Sequence, residues 1–197
     1  MNLTRVPEDQ FVPLHFLDSL SAASAFDPDH KRLIDVGTGA GFPGIPLKIA
    51  FPDLQVTLLD STRKRLDFLQ NVCQDLQLAG IGVLHTRAEE AGRNPKSREK
   101  FDVVTARAVS RLNALAEYLL PLTRVGGTVV AMKSADSEDE IVEAQKIIRD
   151  LGGEIESTVA LTLPNTDIER KLVVIRKARP TPQQYPRDAS IIKRKTT

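Results

Sequence analysis

The stretch from Leu33 to Gly44, Leu-Ile-Asp-Val-Gly-Thr-Gly-Ala-Gly-Phe-Pro-Gly, constrains this chain more than any other. Leu33 to Val36 is a short apolar run carrying one carboxylate, Asp35. Gly37, Gly39 and Gly41 follow on alternate positions, and a helix is expected to begin near Gly44. Three glycines in five residues cost conformational entropy on folding, so a turn without a ligand explains them poorly. A strand, a glycine-rich turn and a helix start together make a nucleotide-binding corner. The helix start supplies free N–H groups and the positive end of its dipole.

Two fingerprints overlap here. Gly39-Ala-Gly41-Phe-Pro-Gly44 satisfies G-x-G-x-x-G, the dinucleotide pattern. Gly37-x-Gly39-x-Gly41, with Asp35 two residues ahead, fits the first motif of the S-adenosyl-L-methionine (AdoMet) dependent methyltransferases. There the acid faces the cationic methionine part of the cofactor. The second reading carries more weight, and the first stays open as an NAD-dependent oxidoreductase.

The rest of the chain supports a layered α/β fold. Continuous apolar character over residues 32–36 predicts a buried parallel strand. Val56 to Asp60 predicts a second strand, ending on an acid placed to grip a ribose hydroxyl pair. Asp60, Ser61 and Thr62 are also helix-capping types. Leu66, Leu69, Val72, Cys73 and Leu76 form one apolar helical stripe, which makes Cys73 a core residue rather than a nucleophile. That helix is expected over 62–78, closed by Gly80. A third strand follows at 81–84 and a fourth at 101–106, with Arg107 at its carboxyl end, where open parallel sheets bind ligands. Residues 92–100 read as a polar loop. Gly126-Gly127 reads as a turn before a fifth strand at 128–132. Ser137-Glu138-Asp139-Glu140 reads as a capping box. Two last strands, 154–163 and 171–176, are separated by a short loop and so pair antiparallel. A strand pair added without a helix is a methyltransferase ending that a plain dinucleotide domain lacks. Near the start, Leu14 to Leu20 predicts a modest helix with His15 and Asp18 on one face.

At 197 residues one domain is expected. A single cysteine excludes a disulfide framework and a CxxC metal site, and no metal site is expected. With no secretory signal in the sequence, the cysteine count points to the cytoplasm. No apolar run approaches the ~18 residues of a membrane span. The net charge of +1 hides an asymmetry: residues 171–197 hold eight basic residues against one acid, Asp188, leaving 19 basic against 25 acidic in the remainder. Such a tail suits either a polyanion partner or a solvated extension.

Several motifs in order resemble one family. Asp35-Val-Gly-Thr-Gly-Ala-Gly-Phe-Pro-Gly-Ile-Pro-Leu47 is similar to the signature of the RsmG (GidB) methyltransferases. The resemblance continues at Asn2-Leu-Thr4, His15-x-x-Asp18-Ser19-Leu20, Leu59-Asp60-Ser61, Arg87-Ala-Glu89, Ala106-Arg107-Ala108, Ala131-Met-Lys133, Glu169-Arg170-x-Leu-Val-Val and Thr181-Pro-x-x-Tyr185-Pro-Arg187. It implies a class I AdoMet-dependent, Rossmann-like α/β fold: a mostly parallel seven-stranded sheet with a terminal antiparallel strand. The methyltransferase domain would span 31–177, after a shortened N-terminal helical segment at 1–30 and before a basic tail at 178–197. It implies methylation of guanine N7 in 16S rRNA of the small ribosomal subunit by a monomer. Cofactor contacts are implied at Asp35, Gly37, Gly39, Gly41, Phe42, Asp60, Ser61, Thr62, Ala88, Glu89 and Arg107. Arg107, Arg87 and Lys133 are implied at the reacting centre, and Arg170, His15 and Asp18 on the RNA side. Three features depart from the family pattern. The chain begins at the Asn-Leu-Thr motif, Ser134 stands where glycine is usual, and 188–197 lack the expected Gly-x-Pro. A non-catalytic RNA-binding relative is the remaining alternative.

Overall fold

The computed structural model describes residues 6–107 and 109–194, with side chains through residue 192. Asn2 to Thr4, Ala108 and Lys195 lie outside the described residues. Five strands run parallel: β1 (Arg32–Val36), β2 (Gln55–Asp60), β3 (Ile81–His85), β4 (Phe101–Arg107) and β5 (Thr123–Ser134). Strands β6 (Gly153–Thr162) and β7 (Glu169–Lys177) return as a hairpin, and β7 inserts between β5 and β6, antiparallel to both. The sheet order is β3-β2-β1-β4-β5-β7-β6. This is the expected mostly parallel sheet with its antiparallel ending. The order reverses between β1 and β4, which opens a crevice beyond their carboxyl ends.

Both faces of the sheet are covered. Ile34, Val36, Val104 and Ala106 pack toward α5 (Leu112–Leu119) and α6 (Glu138–Asp150). Leu33, Leu58 and Val103 pack on the other face with α2 (Gly44–Ala50) and α3 (Arg63–Asp75). Two-sided burial is why these strands read as apolar runs instead of alternating ones. Each fully buried leucine contributes about 1.5–3 kcal/mol, so the framework under the glycine corner is firm. Before β1 the chain winds through a composite helix: a 3-10 turn (Glu8–Gln10), a π turn (Val12–Leu17), one α turn, α1 (Asp18–Ser21), and a second 3-10 turn (Ala22–Ala25). No helix among the described residues is long and apolar enough to cross a membrane.

Several local expectations need correction. β5 runs through Gly126-Gly127 as a bulge, where the pairing jumps from Phe101–Thr123 to Val103–Thr128. A Cβ on Gly127 would lie 2.7 Å from the Asp102 carbonyl oxygen, so glycine there permits close strand approach. Ser137 precedes α6 but makes no side-chain cap, and its buried hydroxyl has no partner among the described residues. The Glu140 carboxylate, expected to close the capping box, instead binds Lys133 Nζ at 2.7 Å and accepts the Leu112 N–H at 2.8 Å. A charged donor outcompetes a lone peptide N–H. Helix α3 stops at Asp75, ahead of Gly80, because Gln77 takes the left-handed conformation at φ 52°. Its N–H reaches the Gln74 carbonyl at 2.9 Å and that of Leu78 reaches Cys73 at 2.9 Å, a Schellman closure. A short helix, α4 (Ala88–Arg93), begins just before the expected polar loop and takes in its first two residues. Its start is held by the Glu90 carboxylate, which accepts from Thr86 Oγ1 at 2.7 Å and from the Arg87 N–H at 3.3 Å.

Candidate active site

The glycine corner is built by local sequence and locked by β2. The N–H groups of Gly37 and Thr38 donate to the Leu59 carbonyl at 2.8 and 3.0 Å. Asp35 lies fully buried beneath the turn. Its Oδ2 accepts from Thr38 Oγ1 at 2.6 Å and from the Gly44 N–H at 2.9 Å, while Oδ1 has no partner among the described residues. Burial pushes its carboxyl pKa up to about 6, against the opposing pull of those two donors. At Gly39, φ is 59° and an added Cβ would meet nothing nearer than 3.8 Å, so the corner is open on that side. At Gly41, a Cβ would lie 2.6 Å from Ile45 Cδ1 and 3.1 Å from Leu69, so that glycine serves helix packing.

Two cavities flank the corner. One, of about 310 Å³, is lined by Gly37, Asp60, Ser61, Ala88, Glu89 and Tyr118, with Arg87 at its edge. Asp60 is fixed at the end of β2. Its Oδ1 accepts the Thr62 N–H at 2.8 Å, and Oδ2 accepts the Gly39 N–H at 3.1 Å. The carboxylate therefore presents a rigid, charged edge to the cavity. Arg87 stands on this side, 3.9 Å from Glu89 and well exposed, and not beside Arg107.

The other cavity, of about 470 Å³, is lined by His15, Asp18, Arg107, Lys133 and Arg170, with Met132 among the apolar neighbours. Here the tertiary structure joins residues from both ends of the chain. Asp18 Oδ2 accepts from Arg107 at 2.9 Å and Asp18 Oδ1 accepts from Arg170 Nε at 3.1 Å. One nearly buried carboxylate thus orients two guanidiniums, which leaves an excess of positive charge. Arg107 also donates to the Leu14 carbonyl at 3.1 Å and lies 5.1 Å over the Phe42 ring. His15 stacks on Phe42 with ring centroids 4.7 Å apart. Burial, followed by the Arg107 charge, lowers the His15 pKa, which favours its neutral form. Lys133 is held by Ser110 O at 3.0 Å and by Glu140.

Of the expected residues, Gly37, Asp60, Ser61, Ala88, Glu89 and Arg87 share the first cavity. His15, Asp18, Arg107, Lys133 and Arg170 share the second. Phe42 packs with His15 and Arg107, and Thr62 acts through its backbone. The sequence reading missed Tyr118, Val109 and Arg65 in the first cavity. Tyr118 sits in an apolar helix whose spacing signals only core, and the other two belong to no motif.

This architecture has known counterparts. The solved structure of TrmN from Thermus thermophilus matches 81% of this chain and 48% of its own, at TM-score 0.61 and 18% identity. That likeness speaks for the fold alone. A "Ribosomal RNA small subunit methyltransferase G" of Lactobacillus johnsonii is 48% identical over 194 residues, covering 96% of this chain and 81% of that protein. One of the same name from an Exiguobacterium species is 51% identical over 191 residues, covering 96% and 80%. The family described as "GidB: rRNA small subunit methyltransferase G" matches residues 1–173. This chain belongs to the GidB family, rRNA small subunit methyltransferase G.

Proposed function

We propose that this protein transfers a methyl group from AdoMet to N7 of one guanosine in 16S rRNA, acting in the cytoplasm as a monomer. The observation that carries the reading is the pair of unlike cavities at the switch point. One is walled by Gly37, Asp60 and Glu89, and the other is bordered by Arg107, Arg170 and Lys133. Family membership and relatives named as small-subunit rRNA methyltransferases support the same chemistry.

The residues present fit AdoMet. The Asp60 carboxylate edge suits a ribose hydroxyl pair. The open face of Gly39 leaves room for backbone approach, and the unpartnered Asp35 Oδ1 supplies negative character beneath the corner. When bound, AdoMet supplies a methyl group on a cationic sulfur, ready for transfer to a nucleophile. Guanine N7 carries an in-plane lone pair and no proton, so this chain needs no general base. The sequence holds neither an Asn/Asp-Pro-Pro-Tyr motif for exocyclic amines nor a Pro-Cys nucleophile. What its residues must do is align the base and exclude water. Phe42 and the neutral His15 ring offer apolar faces beside Arg107, while Arg107, Arg170 and Lys133 offer charge to phosphate.

The test is transfer of labelled methyl from AdoMet to small-subunit rRNA lacking the mark, with the modified base mapped by N7-sensitive strand cleavage. Cleavage at a single guanosine is expected, and Arg107→Ala lowers turnover by roughly 100-fold or more. Methylation at another atom, or no transfer despite measured AdoMet binding, overturns the reading. Binding of NADH in place of AdoMet restores the dinucleotide alternative.

A further inference from the structure

Residues 181–188 lie beyond the family-matched span and are fastened to two different helices of the first cavity. On α5, Glu117 is fully buried and grips Arg187 three ways. Its Oε1 accepts the Arg187 backbone N–H at 2.6 Å and Nε at 2.9 Å, and its Oε2 accepts a guanidinium N–H at 2.6 Å. The next residue, Tyr118, lines the cavity. At the end of α4, Arg93 Nε donates to the Pro186 carbonyl at 3.0 Å and its guanidinium meets Asp188 at 2.8 Å. One Arg98 nitrogen bridges the carbonyls of Gly92 and Tyr185 at 2.8 and 2.7 Å. A Cβ on Gly92 would come within 3.0 Å of Pro186 Cγ, so the segment sits directly against the helix. The first residues of α4, Ala88 and Glu89, line the same cavity as Tyr118. Helix α4 has only six residues. Helices shorter than about 12–15 residues do not hold their shape alone, so α4 depends on what clamps it.

We propose that residues 181–188 are a positioning strap: Arg187, acting through Glu117, fixes Tyr118 relative to Ala88 and Glu89 and thereby sets the affinity for AdoMet. This rests on the AdoMet reading above. Arg187 touches neither cofactor nor RNA in this scheme, so its effect falls on AdoMet binding and not on the transfer step. A variant that merely unfolds in part loses apparent kcat and keeps its KM, whereas a loosened cavity raises the AdoMet KM and Kd.

The experiment measures AdoMet Kd by calorimetry, and AdoMet KM and kcat, for the unaltered protein, Arg187→Ala, Arg187→Lys and Arg176→Ala. Arg187→Ala raises Kd and KM roughly tenfold with kcat within about twofold at saturation. Arg187→Lys, which keeps the charge without the two-pronged geometry, falls between. Among the described residues the Arg176 side chain pairs with exposed Glu154 at the sheet edge, and its alanine variant leaves all three values unchanged. Should Arg187→Ala fail to fold, Arg93→Ala carries the same test with a rise of about threefold in Kd. Folded Arg187→Ala or Arg93→Ala protein with unaltered Kd overturns the strap while leaving the AdoMet reading intact. Failure of the unaltered protein to bind AdoMet overturns both.

Discussion

Asp35 shows how much one buried side chain can encode. The sequence places it beside the glycine turn, but only the structure shows a carboxylate with one oxygen bonded to Thr38 and Gly44 and the other unpartnered. Its pKa, raised to about 6 by burial, lies above that of the unfolded chain. The folded state therefore binds the extra proton between about pH 4 and pH 6. The stabilising share is complete below that window and is lost as pH rises through about 6, a change of about 3 kcal/mol. Asp35→Asn removes the slope. Stability measured by urea titration should shift in the variant's favour between pH 4 and 7, then stay level. A difference that does not vary with pH would mean that Asp35 ionises as it does in the unfolded chain. Asp60 was legible for a different reason: it ends a strand 21 positions after Gly39, and the Gly39 N–H does reach its carboxylate at 3.1 Å.

At the scale of elements, termini were the least legible part. The apolar stripe of α3 gives its existence and its buried face, since Leu66, Leu69 and Cys73 are buried, whereas Leu76, the last residue of the expected stripe, falls just past the helix end and is exposed. Its end is decided by closure geometry that a glutamine adopts at φ 52°. An L-residue in that conformation costs about 1–2 kcal/mol relative to glycine's freedom there. Gln77→Gly should thus raise stability by about 1 kcal/mol without altering methyl transfer, measured by urea denaturation. A loss of stability would show that the Gln77 side chain contributes more than its backbone strain costs. The false capping box at Ser137 has the opposite lesson. Local spacing was correct, but Lys133, on a neighbouring strand, drew Glu140 away from the helix start. Short α4 was missed because six residues carry too little periodicity to stand out.

Across the whole molecule, the basic C-terminal segment illustrates the gap between charge counting and structure. Lys171, Arg176, Lys177 and Arg187 all face carboxylates of the body. Lys177 is fully buried, bonded to Glu99 at 3.0 Å and to Thr181 Oγ1 at 2.6 Å, and burial lowers its pKa to about 8. These charges are engaged within the fold. Truncation after Lys177 leaves Glu117 buried without its partner and should cost about 3–5 kcal/mol, visible as a lower urea midpoint. A truncated chain as stable as the full one would make the segment an appendage. The sequence by itself determined the α/β alternation, the nucleotide corner and the acid after β2, because these depend on periodicity and on backbone conformations that neighbouring residues dictate. The tertiary structure alone decided that Asp18 bridges Arg107 and Arg170, that Arg87 stands in the other cavity, and that Arg187 meets Glu117. Those pairs join residues 70 to 152 positions apart or separate residues twenty apart, and no local rule of spacing reaches that far; only the order of strands in the sheet does.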